Sequence, residues 1–200
     1  MIKRLFLSFG IGIAVAWGSG TASAAPLTLD QVEAALNKIT TLRARFQQTG
    51  RNGNLTTGVF YFKRPGSVRF DYDAPNPHLI ISSGGCLYHI DKELKERSEL
   101  PKANPLYLFL KTTISFRQKG TRVLRFAKKD GIVQLVLSVD KEPGTLTLFF
   151  ETATLHLQRW VLEDEEHQQT VIDLAECVYG EQFPAYIFER LELPRQKHPS

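Results

Sequence analysis

The stretch Gly58-Val59-Phe60-Tyr61-Phe62-Lys63-Arg64-Pro65-Gly66-Ser67-Val68-Arg69-Phe70-Asp71-Tyr72 decides the fold. Phe60 and Phe62 alternate with Tyr61 and Lys63, and Val68 and Phe70 alternate with Arg69 and Asp71, which is the period of two of a half-buried strand. Between the two runs, Pro65 at the second turn position presets φ and Gly66 at the third accepts a positive φ, so a type II turn is expected. One hairpin with an apolar face is not stable alone and must belong to a larger sheet.

Working outward, the same period holds on both sides. Upstream, Leu42, Ala44 and Phe46 alternate with Arg43, Arg45 and Gln47. Before that comes the one clear helix, Thr28 to Thr40. Thr28 and Gln31 form a capping box, Leu27 and Val32 a hydrophobic staple, and Val32, Ala35, Leu36 and Ile39 share one face. Downstream, Leu79 to Ser82 and Cys86 to Ile90 pair through Gly84-Gly85. The segment Ile114 to Val139 gives strands broken at Asp130-Gly131, and a turn at Lys141 to Gly144 leads into Thr145 to Glu151. Leu155 to Leu162 and Thr170 to Glu176 form a last hairpin around the acidic run Glu163 to Glu166. About ten short strands at near-regular spacing argue for a mainly β chain with a few helices, its antiparallel sheet curled toward a barrel. There is no internal repeat and no long linker, so residues 25–200 read as one domain. The tail after Gly180, with Phe183-Pro184-Ala185-Tyr186, does not read as a strand.

One segment breaks the pattern. Asn104-Pro105-Leu106-Tyr107-Leu108-Phe109-Leu110-Lys111 carries five consecutive bulky apolar residues after a Pro, without alternation, and reads as a short buried helix. A curled sheet wrapped around two short helices leaves an interior to be filled by aromatics or kept as a ligand cavity.

The chain has 200 residues, 42% of them apolar, with 25 Lys plus Arg against 21 Asp plus Glu. The basic residues form no long run or stripe, which argues against nucleic-acid binding. At the start, Lys3-Arg4, an apolar run from Leu5 to Trp17 and the small residues Ala22-Ser23-Ala24 make a secretory signal with cleavage after Ala24. The run is 13 residues long, too short for a bilayer span. No Cys follows the cleavage site and no second apolar stretch approaches a span, so a soluble periplasmic protein is expected. Cys86 and Cys177 remain. An oxidising compartment permits a bridge between them, worth on the order of 4 to 5 kcal/mol in the chain-entropy model, and the alternative is two thiols on different strands pointing apart.

No spacing supplies a catalytic centre. The five His residues, 78, 89, 156, 167 and 198, form no metal-binding or nucleophile motif. His89 and Asp91 share a strand face without a Ser or Cys partner, and Glu163 to Glu166 lacks the spacing of a calcium loop. No enzyme activity, cofactor or metal is therefore expected. Arg64 is the residue with most promise. In strand register it shares a face with Phe60 and Phe62, where five guanidinium donors could reach backbone carbonyls of the Pro105 to Lys111 segment and latch a lid, the alternative being a solvated turn residue.

The order of these pieces resembles the periplasmic outer-membrane lipoprotein carriers, the LolA family. The resemblance runs through Leu42 to Gln48, Gly58 to Phe62, Lys63-Arg64-Pro65-Gly66 with Arg69-Phe70-Asp71-Tyr72, Pro75, Ile81-Ser82-Ser83-Gly84, Leu87-Tyr88, Asp91, Asn104-Pro105 to Leu110, and Arg159-Trp160. It implies an unclosed antiparallel β-barrel capped by a helical lid and enclosing an apolar cavity for lipoprotein acyl chains. The position matching the family's lid-contacting Arg is Arg64. The expected cavity residues are Phe60, Phe62, Val68, Phe70, Leu79 and Ile81, and the lid is Leu106, Leu108, Phe109 and Leu110. The implied partners are lipoproteins, an inner-membrane lipoprotein-releasing ABC transporter and an outer-membrane lipoprotein receptor, with the carrier itself a monomer. Two other readings stand beside it: a periplasmic lipid-binding or envelope-stress sensor on the same fold, and a secreted hydrolase on a β scaffold.

Overall fold

The computed structural model describes residues 26–100, 105–139 and 144–189. The signal expected over 1–24 and the turn expected over 141–143 lie outside these residues. One α-helix, α1 (Leu29–Lys38), precedes eleven strands: β1 (Thr41–Thr49), β2 (Leu55–Lys63), β3 (Ser67–Tyr72), β4 (His78–Ser83), β5 (Cys86–Asp91), β6 (Glu96–Glu99), β7 (Thr121–Lys129), β8 (Ile132–Val139), β9 (Thr145–Glu151), β10 (Leu157–Glu163) and β11 (Gln169–Tyr179). Short 3-10 turns span Pro105–Leu110 and Ala185–Phe188. No described helix is long and apolar enough to cross a membrane.

All eleven strands form one antiparallel sheet in the order β6-β5-β4-β3-β2-β1-β11-β10-β9-β8-β7, with β6 and β7 as its two edges. The first and last long strands meet in the middle, where β1 pairs with both β2 and β11. Alternation then sets the inner face. Leu42, Ala44 and Phe46 of β1 stand opposite Phe62, Phe60 and Gly58 of β2, and Phe60 and Phe62 stand opposite Phe70 and Val68 of β3. From the other half come Trp160, Leu148 and Leu135, one behind the other on β10, β9 and β8. These side chains are buried, and each large apolar group so buried stabilises the fold by roughly 1.5–3 kcal/mol. The helix caps this core as its sequence predicts. The Thr28 hydroxyl accepts from the Gln31 N–H, the Gln31 side chain accepts from the Thr28 N–H, and Val32 and Leu36 are buried.

Four points of the sequence reading are refined or decided between alternatives. The strands number eleven because β6, Glu-Arg-Ser-Glu, is exposed throughout and held to β5 by its backbone, a strand with no apolar alternation to announce it. β7 starts at Thr121, so residues 114–120 are not strand. The turn after β2 keeps a positive φ of 72° at Gly66, but the Arg64-Pro65 peptide is cis. Cys86 and Cys177 form no disulfide. They sit on β5 and β11, five strand spacings apart along the sheet, or roughly 24 Å at about 4.8 Å per strand, where a disulfide needs Cα atoms within about 7 Å.

One correction concerns the site. Register pairs Phe70 of β3 with Ile80 of β4, which sends Ile80 inward, and it pairs Asp71 with Leu79 and Arg69 with Ile81 on the outer face. Leu79 and Ile81 are buried, yet in a separate outer cluster with Ile90 and Tyr88, so they do not line the interior. The tail beyond β11 crosses this outer face. Phe183 packs edge-on to Tyr61 at 5.6 Å between ring centroids, and Arg69 donates to the Ile187 carbonyl at 3.1 Å.

Gly58 shows how tight the inner face is. A Cβ there would lie 2.3 Å from the Asp71 carbonyl oxygen and 2.6 Å from the Phe46 ring, closer than any side chain tolerates. Gly58→Ala should therefore destabilise the protein by about 1–3 kcal/mol, as overpacking of a rigid core does. Urea unfolding monitored by circular dichroism measures this, and an unchanged midpoint would mean that Phe46 can move aside.

Candidate functional site

The inner face of an unclosed sheet needs a cover, and two segments supply it. Helix α1 lies across the core through Val32 and Leu36, and the Pro105–Leu110 turn brings Leu108 and Phe109 into it. Phe109 reaches deepest, with its ring centroid 6.3 Å from Phe62 and 5.7 Å from Trp160. Leu110 is half-buried against the same core, and the Leu106 side chain lies outside the described residues.

A helix leaves its last carbonyls without intrahelical donors. Arg64 supplies them. From the end of β2 its Nη2 donates to the Leu36 carbonyl at 3.0 Å and its Nε to the Ile39 carbonyl at 3.1 Å. Its Nη1 donates to the carbonyls of Lys111 at 3.0 Å and Thr112 at 3.3 Å, just past the Pro105–Leu110 turn. A cation at a helix C-terminus is favoured by the macrodipole as well. The guanidinium carbon lies 5.2 Å from the centre of the Phe62 ring, which is cation–π range. Burial pushes the Arg64 pKa down from its ordinary value, although guanidinium remains charged at any physiological pH. One side chain thus ties the helix, the turn and the sheet together.

Further ties join α1 to residues 114–117. Asn37 makes a two-way bond with Ile114, its Nδ2 donating to the Ile114 carbonyl and its Oδ1 accepting from the Ile114 N–H, both at 2.8 Å. Glu33 accepts from the Phe116 N–H at 2.6 Å, and Asp30 pairs with Arg117. Ile114 and Phe116 are buried. This explains why residues 114–120 leave the sheet: they extend the cover and bond to the helix instead of a strand. On the other side Tyr107 accepts from the Leu87 N–H at 3.0 Å and donates to the Leu100 carbonyl at 3.2 Å, anchoring the turn to β5. None of these partners stands in a sequence motif; the polar residues Asn37 and Glu33 on the α1 turns next to Leu36 were the only local hint.

Beneath this cover the described side chains pack closely. Leu36, Ile39, Leu42, Phe60, Phe62, Arg64, Phe109, Ile114 and Leu157 surround an apolar void of about 10 Å³, roughly one water's worth of space. Of the expected cavity residues, Phe60 and Phe62 line the void, and Val68 and Phe70 point inward in the surrounding core. At the far end of the inner face lies a polar group. Tyr72 donates to Gln48 at 2.8 Å and its pKa is pushed up to about 12 by burial. His78 and His89 pack ring to ring at 4.7 Å, and burial, with the neighbouring imidazole, pushes His89 down. Asp91 lies 3.8 Å from His78.

The chain matches the family model "Outer membrane lipoprotein carrier protein LolA" over residues 37–190. It is 34% identical over 102 residues to the outer-membrane lipoprotein carrier protein of Pseudomonas aeruginosa PAO1, covering 48% of this chain and 47% of that protein. The carrier protein of Coxiella burnetii RSA 493 is 27% identical over 133 residues, with 62% and 63% covered. The chain thus spans about half the length of the Pseudomonas relatives it matches. In three dimensions it is similar to an uncharacterized conserved protein from Thermus thermophilus, with a TM-score of 0.51 at 12% identity over 82% of this chain and 93% of that one, a likeness of fold alone.

If Arg64 holds the cover shut, removing it should loosen the cover and spare the sheet. In Arg64→Ala, amide hydrogen exchange at Leu108, Lys111 and Ile114 should speed up by about tenfold to a hundredfold, the loss of one or two charge-assisted hydrogen bonds. Amides of β1 and β9 should keep their protection. Equal acceleration in both places would mean that Arg64 serves global stability only.

Proposed function

Because the chain belongs to the outer membrane lipoprotein carrier family, we propose that it takes up the acyl chains of lipoproteins released from the inner membrane, shields them across the periplasm and hands them to a receptor at the outer membrane. The observation that carries this reading is Arg64, a single half-buried cation holding the C-terminus of α1 and the end of the Pro105–Leu110 turn over an aromatic interior. With about 10 Å³ of void the interior is closed. An acyl chain enters only if the cover swings away and the rings of Phe109, Phe62 and Phe60 make room.

The energetics favour such an exchange. An acyl chain gains about 0.8 kcal/mol for each methylene taken out of water. Against this stands a cover held by a few hydrogen bonds, each worth roughly 1 kcal/mol net and more where Arg64 donates. Cargo therefore opens the cover, and an empty carrier closes again. A carrier that stayed open when empty would expose its aromatics and would bind too firmly to release. On this reading Arg64, Leu108, Phe109 and Leu110 form the latch and lid, while Phe60, Phe62, Val68 and Phe70 become cavity wall on opening. The releasing partner is an ABC transporter of the inner membrane, and the carrier acts as a monomer without chemistry of its own.

Adding the purified protein to spheroplasts tests this. Newly made lipoproteins should appear in the soluble fraction as one-to-one complexes. Lipid uptake without lipoprotein release would favour a lipid-binding sensor instead. Arg64→Leu should load lipoprotein as well as the parent and lose at least about nine-tenths of its transfer to outer-membrane vesicles, since a lid that gains about 1.4 kcal/mol less on closing expels cargo about tenfold less readily. Transfer at the parental rate would remove Arg64 from the release step.

A further inference from the structure

Trp160 sits on β10 at the centre of the core and is fully buried. Its cross-strand neighbours are Leu148 and Ile172, and its ring neighbours are Phe60 at 5.7 Å, Phe70 at 6.0 Å and Phe109 at 5.7 Å. Every one of these is apolar. The indole Nε1–H finds no hydrogen-bond partner among the described residues. A few other buried polar atoms share that state, among them hydroxyls of Thr41 and Ser138, but Trp160 is the most deeply buried of those side chains. A hydroxyl can rotate to seek an acceptor, whereas an indole N–H is fixed in the plane of its ring. The edge-to-face contacts with Phe60 and Phe70 offset the loss only weakly. A bridging water does not answer either, since it needs at least two polar partners and these neighbours offer none.

A buried donor without an acceptor is costly and calls for an explanation. Phenylalanine would fill the same space without the cost. The position of Trp160 supplies the reason. Its ring packs against Phe109, the lid residue that must leave for cargo to enter, so opening the lid takes one of its apolar neighbours away. An acyl chain has one strong acceptor, the carbonyl oxygen of the ester or amide by which it is attached.

We propose that the Trp160 indole N–H donates a hydrogen bond to the carbonyl of an ester- or amide-linked acyl chain in the loaded protein, so that the site prefers acylated cargo to hydrocarbon of the same length. The inference rests on the carrier reading and adds to it the chemical group that is recognised. The closed form carries an unsatisfied donor and the loaded form satisfies it, which biases the lid toward opening for acyl groups in particular.

Two probes test it: a cysteinyl peptide carrying an S-linked glycerol with two palmitoyl esters, and the same peptide with two hexadecyl ethers, which keep the chains and lack the carbonyls. The protein should bind the ester about fivefold more tightly than the ether, the worth of one neutral hydrogen bond. Trp160→Phe should bind both alike. In ¹⁵N-labelled protein the Trp160 indole resonance, assigned by its loss in Trp160→Phe, should move downfield with the ester and not with the ether, a readout that stands even if the variant folds poorly. Equal binding of the two probes with an unmoved indole resonance would overturn the inference and leave the carrier reading intact. Binding of neither probe would overturn both.

Discussion

An open sheet with an apolar inner face cannot satisfy itself. Closing into a full barrel would pair every strand edge, but here β6 and β7 stay apart and the interior must be covered by other parts of the chain. Covering it with a helix creates a second demand, because the helix ends in carbonyls that need donors while lying on apolar ground. The Arg64 guanidinium meets both demands at once. Its stem leaves β2 beside Phe62, and its head reaches four carbonyls of two covering segments. A lysine would offer a point charge without the planar fork that divides its bonds between α1 and the turn. Asn37 and Tyr107 hold parts of the same cover, and the Arg64 contact joins the helix, the turn and the sheet.

The free edges are managed in different ways. β6 is four residues long and carries Glu96, Arg97 and Glu99. β7 carries Arg122, Arg125, Lys128 and Lys129, and a bulge between Val123 and Arg125 interrupts its register. Short length, charge and bulges are the devices that keep an edge strand from pairing with another chain. The sheet therefore remains open without inviting aggregation. An open sheet can also widen by shifting its two halves, which a closed barrel cannot do without breaking a ladder of hydrogen bonds. The outer face adds a support of its own, where the tail from Phe183 to Phe188 lies over Tyr61 and Arg69 and its short turn meets β3 and β4.

Much of this was legible in the chain because alternation is a strong signal. Phe60, Phe62, Val68 and Phe70 could be assigned to the inner face from period two alone, and the Thr28 to Gln31 capping box fixed the start of the helix. Arg64 was legible because the same register placed a cation at the end of an aromatic row. Where three apolar residues follow one another, as in Leu79-Ile80-Ile81, no period exists, and only the pairing of Ile80 with Phe70 tells inside from outside. β6 was invisible for the opposite reason, since nothing in it is apolar. The bonds of Asn37 and Glu33 to Ile114 and Phe116 join residues about 80 positions apart, and no local pattern reports such a distance. Trp160 was visible as a large apolar residue, but its unpaired N–H is a property of its neighbours and not of its own position in the sequence.

On the carrier reading proposed for this chain, the contacts that hold the cover fall into two kinds with different fates on opening. Phe109 against Phe62 and Trp160 is apolar packing, which an acyl chain can replace nearly like for like, because methylenes and rings lose similar amounts of exposed surface. The hydrogen bonds of Arg64, Asn37 and Glu33 to backbone groups are polar, and on opening they pass to water. Water is a fair substitute for those at the rim, such as Arg64 with Lys111 and Thr112, and a poor one for those further in, such as Arg64 with Leu36. The lid should therefore open from the turn side, pivoting on the better-buried helix side. Since the apolar part of the exchange nearly cancels, the polar part decides the balance, and a small number of hydrogen bonds can set the occupancy of a cavity whose gross hydrophobic energies are far larger.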